Sequence, residues 1–286
     1  MIAWLVVNSF MDKEKFVNLY DMLCLAFKKH DVELQIKRAA DISLEVGYQI
    51  KEKPAFVLFW DKDIYLAERL ENQGLKLFNS SKAINLCDNK ILMYQELNKK
   101  GVKIPRTFIA PKTFEGLNYR QRGFIDNVVK EIGLPLVIKG AYGSFGEQVY
   151  LASSLAELNK IIDGLGYKDF LMQEYIASSK GQDIRINVVG NKAVVSMLRT
   201  NEKDFRSNIS NGGHGSLYQP EKEYLDLAIK AAKALGLDFA GVDVMFGPNN
   251  EPIICEVNSN PQFKSTYDAT GINLADVIAE YILKSL

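Results

Sequence analysis

The sequence predicts a mixed α/β and α+β chain built as three units in series. Three observations predict it. The first hundred residues alternate short apolar runs with amphipathic stretches, the pattern of a parallel sheet with helices on its faces. Residues 136–175 hold three short strand-like runs, a glycine-rich loop and one helical stretch. Residues 182–257 read as longer strands with one apolar and one polar face, joined by turns. The 286 residues carry 35 Lys plus Arg against 35 Asp plus Glu, and 47% are hydrophobic. That composition excludes a disordered chain and a disulfide miniprotein. Zero formal charge removes any whole-chain attraction to nucleic acid or an anionic membrane, so neither is predicted as a partner. No run reaches the ~18 apolar residues that a membrane span needs. The apolar start, residues 1–7, lacks a basic leader and reads as a strand, not a secretion signal. Cys24, Cys87 and Cys255 are odd in number and far apart, as expected of buried thiols in a reducing cytoplasm.

Residues 2–7 form the first strand. Residues 13–29 form a helix, with Phe16, Leu19, Tyr20, Leu23 and Phe27 at helical spacing. Strands are expected over 32–36 and 55–59, a helix over 64–72 ended by Gly74, and a short strand over 75–78. Two helices fill 80–101, the second opened by Asp88 as N-cap. Pro105 and Pro111 punctuate the exit from the second helix, and the expected domains are 1–82, 83–176 and 177–286. The central unit has strands at 136–139, 149–152 and 171–175, with a helix over 154–165. In the last unit Ile184, Ile186 and Val188 alternate with Asp183, Arg185 and Asn187. A strand returns over 193–198, a helix runs over 221–235, strands 239–246 and 252–257 form a hairpin, and a helix over 272–286 closes the chain.

The hairpin carries the clearest chemistry. With Asn249-Asn250 as a two-residue tip, Asp243 falls opposite Glu256, and Asn258 lies two residues on along the same face. Facing carboxylates repel, and a hard cation resolves that repulsion; oxygen-only ligands favour Mg²⁺ or Mn²⁺. The plain alternative is a solvated hairpin face. A second signal is Gly143-Ser144-Phe145-Gly146 after a strand ending in Lys139, where exposed N–H groups and a lysine suit phosphate. A third is Glu174-Tyr175-Ile176 with Asp183 beyond it, groups suited to an adenine edge and a ribose. A fourth is Arg199, then Asp204-Phe205-Arg206-Ser207-Asn208, then Gly212-Gly213-His214-Gly215, arginine and glycine backbone suited to an anion, with His214 more plainly an incidental loop residue.

Taken together these motifs resemble the ATP-grasp superfamily, and within it the RimK-like carboxylate–amine ligases of the alpha-L-glutamate ligase type. The resemblance covers residues 80–286 and includes Asp88-Asn89-Lys90, Arg185 after Asp183-Ile184, and Ala240-Gly241-Val242-Asp243. The unit before it resembles a pre-ATP-grasp domain. The resemblance implies an ATP-grasp fold with a central subdomain carrying a glycine-rich lid and a C-terminal subdomain carrying the metal site. It implies ATP with two Mg²⁺ or Mn²⁺ ions on Asp243, Glu256 and Asn258. It places Lys90, Lys139 and the loop Gly143, Ser144 and Gly146 near phosphates. Glu174, Tyr175 and Ile176 fall at the adenine, Asp183 near the ribose, and Arg206, Ser207 and Asn208 at the phosphate and substrate end. Arg206, Asn208 and Arg185 are the catalytic candidates. The segment Ser259-Asn260-Pro261-Gln262-Phe263-Lys264 is more similar to LysX-type ligases, which join amino acids to a carrier protein. The expected reaction adds an amino acid, with glutamate the first candidate, to a protein, peptide or small-molecule acceptor through an acyl phosphate. A kinase, or an ATP sensor without turnover, is the alternative, and homo-oligomerisation is left open. The loop 141–147 is expected to be a mobile lid that only Tyr142 and Phe145 could pin.

Overall fold

The structure, a computed structural model, describes residues 1–286 except Asp12, Leu44 and Phe145. A parallel sheet comes first. Strands β1 (Ile2–Val7), β2 (Glu33–Arg38), β3 (Val57–Trp60) and β4 (Leu77–Phe78) take the order β2-β1-β3-β4, with helices α1 (Glu14–Lys28) and α2 (Ile64–Glu71). All four residues of β3 are buried, which is why it reads as an unbroken apolar run rather than an alternating one.

Helices α3 (Ser81–Asp88) and α4 (Lys90–Lys99) come next. The cap between them is Asn89, not Asp88. Asn89 leaves the helical region at φ −92°, ψ 105°, and its side chain accepts from the N–H groups of Ile91 and Leu92. Asp88 instead ends α3 and pairs with Lys62 at 2.5 Å.

Sheet B is antiparallel in the order β5-β8-β6-β7: β5 (Thr107–Ile109), β6 (Leu136–Gly140), β7 (Val149–Ala152) and β8 (Phe170–Glu174). Helices α5 (Gly123–Ile132) and α6 (Leu155–Leu165) give it a core of its own through Ile125, Val128, Leu158, Ile162, Phe170 and Met172. Sheet C is antiparallel in the order β11-β10-β9-β12-β13: β9 (Gln182–Val189), β10 (Lys192–Thr200), β11 (His214–Leu217), β12 (Phe239–Phe246) and β13 (Pro252–Asn258). Helix α7 (Lys222–Ala234) covers it, joined by α3 and α4 through Ala83, Cys87, Met93, Tyr94 and Leu97. Helices α8 (Lys264–Thr270) and α9 (Leu274–Ser285) end the chain. The buried face of α9, Leu274, Ala275, Ile278, Ala279 and Ile282, shares one core with Leu19, Leu23 and Phe27 of α1 and with β1.

Four elements went unforeseen: β5, α5, β11 and α8. Segment 212–215, read as a glycine loop, runs into β11, and His214 lies opposite Thr200 there. In the hairpin, β12 and β13 pair Asp243 with Glu256, then slip so that Val244 faces Ile254. The tip is not the two-residue Asn249-Asn250 turn. It is a longer loop closed by the Gly247 N–H donating to Glu251 O at 2.7 Å. The slip at Cys255 offsets the longer tip, so the acid pairing stands although the turn differs. Among the described residues no helix is long and apolar enough to cross a membrane.

A buried side chain helps join the first sheet to sheet C. Asn79, fully buried, donates from Nδ2 to Phe239 O at 3.0 Å and Ser259 O at 2.9 Å. Its Oδ1 accepts from Asp238 N at 2.7 Å and Phe239 N at 3.3 Å. Asn79→Ala should strand these buried backbone groups and cost roughly 2–4 kcal/mol, read as a lowered urea midpoint. An unchanged midpoint would show that the join lies elsewhere.

Candidate active site

Sheets B and C face each other across a cleft holding about 780 Å³ of empty space, part of it open to solvent. Its apolar lining is Val137 of β6, Val149 of β7, Ile176, Phe205 and Met245 of β12, and it suits a flat ring. The polar lining gathers Lys90, Lys139, Gly146, Glu174, Tyr175, Asp183, Arg206, Ser207, Asn208, Asp243 and Glu256. Gly143, Ser144, Arg185 and Asn258 stand outside the lining. Arg185 lies behind Asp243, and Asn258 faces Gly241, donating to its carbonyl at 3.3 Å.

Strand register builds the charged floor. Asp183 pairs across with Arg199, and Asp243 with Arg185. The period of two turns all four side chains to one face. Arg185 forks onto Asp243 through Nε and, at 2.9 Å, Nη2. Arg199 donates from Nε to Asp183 Oδ1 at 2.7 Å, and its Nη2 reaches Asp183 Oδ2 at 2.5 Å and Asp243 Oδ2 at 2.9 Å. The result is a buried chain of alternating sign: Arg185, Asp243, Arg199, Asp183. Burial pushes the Asp243 carboxyl up, but Arg185 and Arg199 together hold it below the usual carboxylate range. Arg199, read from the sequence as an anion ligand, is turned inward onto two aspartates.

Glu256 completes the facing pair. Burial again pushes its carboxyl up, but Lys90, 3.0 Å away, together with Lys139 holds it below the usual carboxylate range. Lys90 also donates to Gly143 O at 2.9 Å, so it links the acid to the glycine loop. Lys139 donates to the Tyr94 hydroxyl at 2.8 Å, and that hydroxyl donates to Cys255 O. Tyr94 thus aims Lys139 into the cleft, a role no motif announced. Met245 and Cys255 were also missed; Met245 lies two residues past Asp243, so strand alternation alone was signal enough to find it. Burial pushes the Cys255 thiol up to about 11, which leaves it unreactive at neutral pH.

The glycine loop is tied by cations. Besides Lys90, Lys62 reaches Ser144 Oγ at 3.0 Å, and Arg206 donates to Gly146 O at 2.6 Å while forking onto Asp204. Phe145, named as a possible pin, lies outside the described residues. Gly146 has φ +76°, and a Cβ there would come within 3.1 Å of Asn208 Oδ1, so glycine is required at this contact. Glu174 accepts from Arg106 N at 2.8 Å, which fixes the turn leading from β8 toward Tyr175 and Ile176. His214 and Lys264 lie away from the cleft lining; Lys264 pairs with Asp268 one turn along α8.

For a hard cation the donors present are the facing carboxylates of Asp243 and Glu256, with the Asn258 amide on the same strand face. Among the described residues no third His, Cys, Asp or Glu joins them. Two acids and an amide oxygen fit Mg²⁺, which keeps several waters and takes the rest of its shell from phosphate.

Comparison with known proteins gives the family of the chain. A family model described as the RimK-like ATP-grasp domain matches residues 87–282. An uncharacterized protein of Mycoplasma pneumoniae is 35% identical over 91% of this chain and 91% of its own. A protein of Pseudoalteromonas atlantica named a probable alpha-L-glutamate ligase is 37% identical over 77% of this chain and 71% of its own. Among solved structures, the RimK-domain ATP-grasp protein of Sphaerobacter thermophilus superposes with a TM-score of 0.77 at 18% identity. That superposition covers 98% of this chain and 99% of the other, and so shares the fold.

Removing the charge of Asp243 does more than relieve repulsion with Glu256, because both arginines contact it. Asp243→Asn should cost about 3 kcal/mol, the scale of a broken buried ion pair. Glu256→Gln, with a side chain 27% exposed, should cost less. Both carboxyls are held low, so their contribution to stability is complete above the ordinary carboxylate range and fades as pH falls through the lowered values. Urea unfolding against pH should therefore show a flatter acid limb in Asp243→Asn; parallel limbs would place the stabilising charge elsewhere.

Proposed function

The chain belongs to the RimK-like ATP-grasp family of carbon–nitrogen ligases, and on that premise we propose that it joins an amino acid to an acceptor by way of an acyl phosphate. The observation that carries this reading is the opposed pair Asp243 and Glu256 on the cleft that also gathers Lys90, Lys139 and Arg206. Acids for a metal and cations for phosphates, on one apolar slot, match the needs of phosphoryl transfer to a carboxylate.

In this reading the adenine ring lies between Val137, Ile176 and Met245, with the backbone from Glu174 to Ile176 at its edge. Asp183 lines the ribose side with its oxygens engaged by Arg199. Gly143, Ser144 and Gly146 lie over the phosphates. Asp243, Glu256 and Asn258 would hold two Mg²⁺ or Mn²⁺ ions, which withdraw charge from the phosphate oxygens when bound. A substrate carboxylate oxygen attacks the γ-phosphorus of ATP, and ADP leaves. The amine then attacks the acyl carbon, loses a proton, and phosphate leaves as the amide forms. Lys90, Lys139 and Arg206 offset the charge that develops on the transferred group, while Ser207 and Asn208 position it. Arg185 acts at one remove by fixing the Asp243 carboxylate. Glutamate is the first candidate for the amino acid, and the acceptor is a protein, peptide or small molecule.

Lys90 and Arg206 hold loop carbonyl oxygens, whose partial charge has the same sign as that of a phosphate oxygen. ATP therefore competes with the loop for these cations, and the lid rearranges as nucleotide enters.

ADP release should require an added amino acid and a divalent cation, measured by a coupled assay over the twenty amino acids with and without carrier peptides. Release driven by one acceptor with no amine would instead fit a kinase, and no release in any mixture would fit a sensor. Arg206→Lys should lower kcat by roughly tenfold or more with ATP affinity nearly kept, since a lysine offers a point charge where the fork met developing charge. A variant that loses ATP affinity while retaining kcat would move Arg206 to a purely nucleotide-holding role.

A further inference from the structure

The cleft does not account for a second polar centre at the end of the first sheet. Asn8 and Asp61 lie just past the C-terminal ends of β1 and β3, the edge where parallel sheets bind ligands. Asp61 is only 5% exposed. Its Oδ1 accepts from Asn8 Nδ2 at 3.1 Å and from the Lys62 N–H at 2.7 Å. Its Oδ2 is buried and has no hydrogen-bond partner among the described residues. Asn260 donates from Nδ2 to Asp61 O at 2.8 Å, which fixes its amide orientation, and its own Oδ1 is likewise buried without a partner.

Two orphaned acceptors on touching residues are uncommon, because a buried oxygen without a donor is costly. One is a carboxylate oxygen whose titration burial pushes above the ordinary range, so a donor that is also cationic would hold it in its charged form. A primary ammonium has three N–H donors and one positive charge. A divalent metal fits less well, since no group of three His, Cys, Asp or Glu side chains gathers here among the described residues.

The place of this centre links it to the reaction. Asn260 lies two residues beyond Asn258 and four beyond Glu256. Lys62, next to Asp61, reaches Ser144 of the glycine loop and Asp88 beside Lys90. We propose that Asp61 and Asn260 form the subsite that holds the ammonium group of the amine-bearing substrate. The identity of that ligand as substrate rests on the ligase reading; the binding chemistry does not.

The test is equilibrium dialysis of each of the twenty amino acids, and of their N-acetyl forms, against the full chain saturated with Mg²⁺ and a non-hydrolysable ATP analogue. At least one free amino acid should bind and its N-acetyl form should not. Asp61→Asn should weaken that binding tenfold or more with nucleotide affinity unchanged. Asn260→Leu should weaken it as well, and it carries the comparison if Asp61→Asn does not fold. No bound amino acid, equal binding of the N-acetyl form, or unchanged binding in the variants overturns the subsite. A bound amino acid that never elicits ADP release would leave the subsite standing and defeat the ligase reading instead.

Discussion

The buried run Arg185, Asp243, Arg199, Asp183 is the constraint on which the site depends. Four formal charges lie within three neighbouring strands, β10, β9 and β12, and they are tolerated because the signs alternate and the contacts are short. Register produces that alternation: a slip of one residue in β9 would send Asp183 and Arg185 to the opposite face and leave Asp243 and Arg199 facing apolar neighbours. Sheet C is thus held in one register by electrostatics as well as by packing. The same register sets Asp243 against Glu256. The candidate site and the specification of the fold are one arrangement.

Around that floor the other parts act as supports. Tyr94 of α4 fixes Lys139, and Lys90 at the start of α4 spans from Glu256 to the glycine loop. A single non-helical residue between α3 and α4, the capping Asn89, therefore aims a cation at the acid pair. Sheet B has a separate core, whereas the first sheet and the last helix share one. The cleft opens between the self-contained unit and the rest, which is where relative movement meets least resistance.

Much of this was legible in the sequence. Long strands with clear alternation, such as 182–189, and helices with regular apolar spacing, such as α1, were found close to their ends. Two short edge strands were not: β5 and β11 bury too little to leave a pattern, and β11 carries a glycine where a strand residue is expected. The acid pair was legible despite a wrong turn, because a bulge restored the count that the longer tip removed. The pairing of Arg199 with Asp183 and Asp243 was not foreseen, since sequence gives no sign of which groups a lone arginine meets. Asn79 escaped notice for a related reason. Its four partners are backbone groups, and backbone leaves no trace in a sequence motif.

The shared core of α1, β1 and α9 has a consequence for biosynthesis. As the chain leaves the ribosome, the first sheet emerges with α1 on it but without the apolar cover that residues 274–285 supply. That face stays open while the two hundred or so intervening residues are translated, at a pace of roughly 5–20 residues per second, so for about ten seconds or more. The first sheet, made well before α9, is completed only when that helix arrives, and a nascent chain interrupted before α9 carries an uncovered hydrophobic surface. Whatever shields that surface must act from the time the first sheet is made until α9 docks.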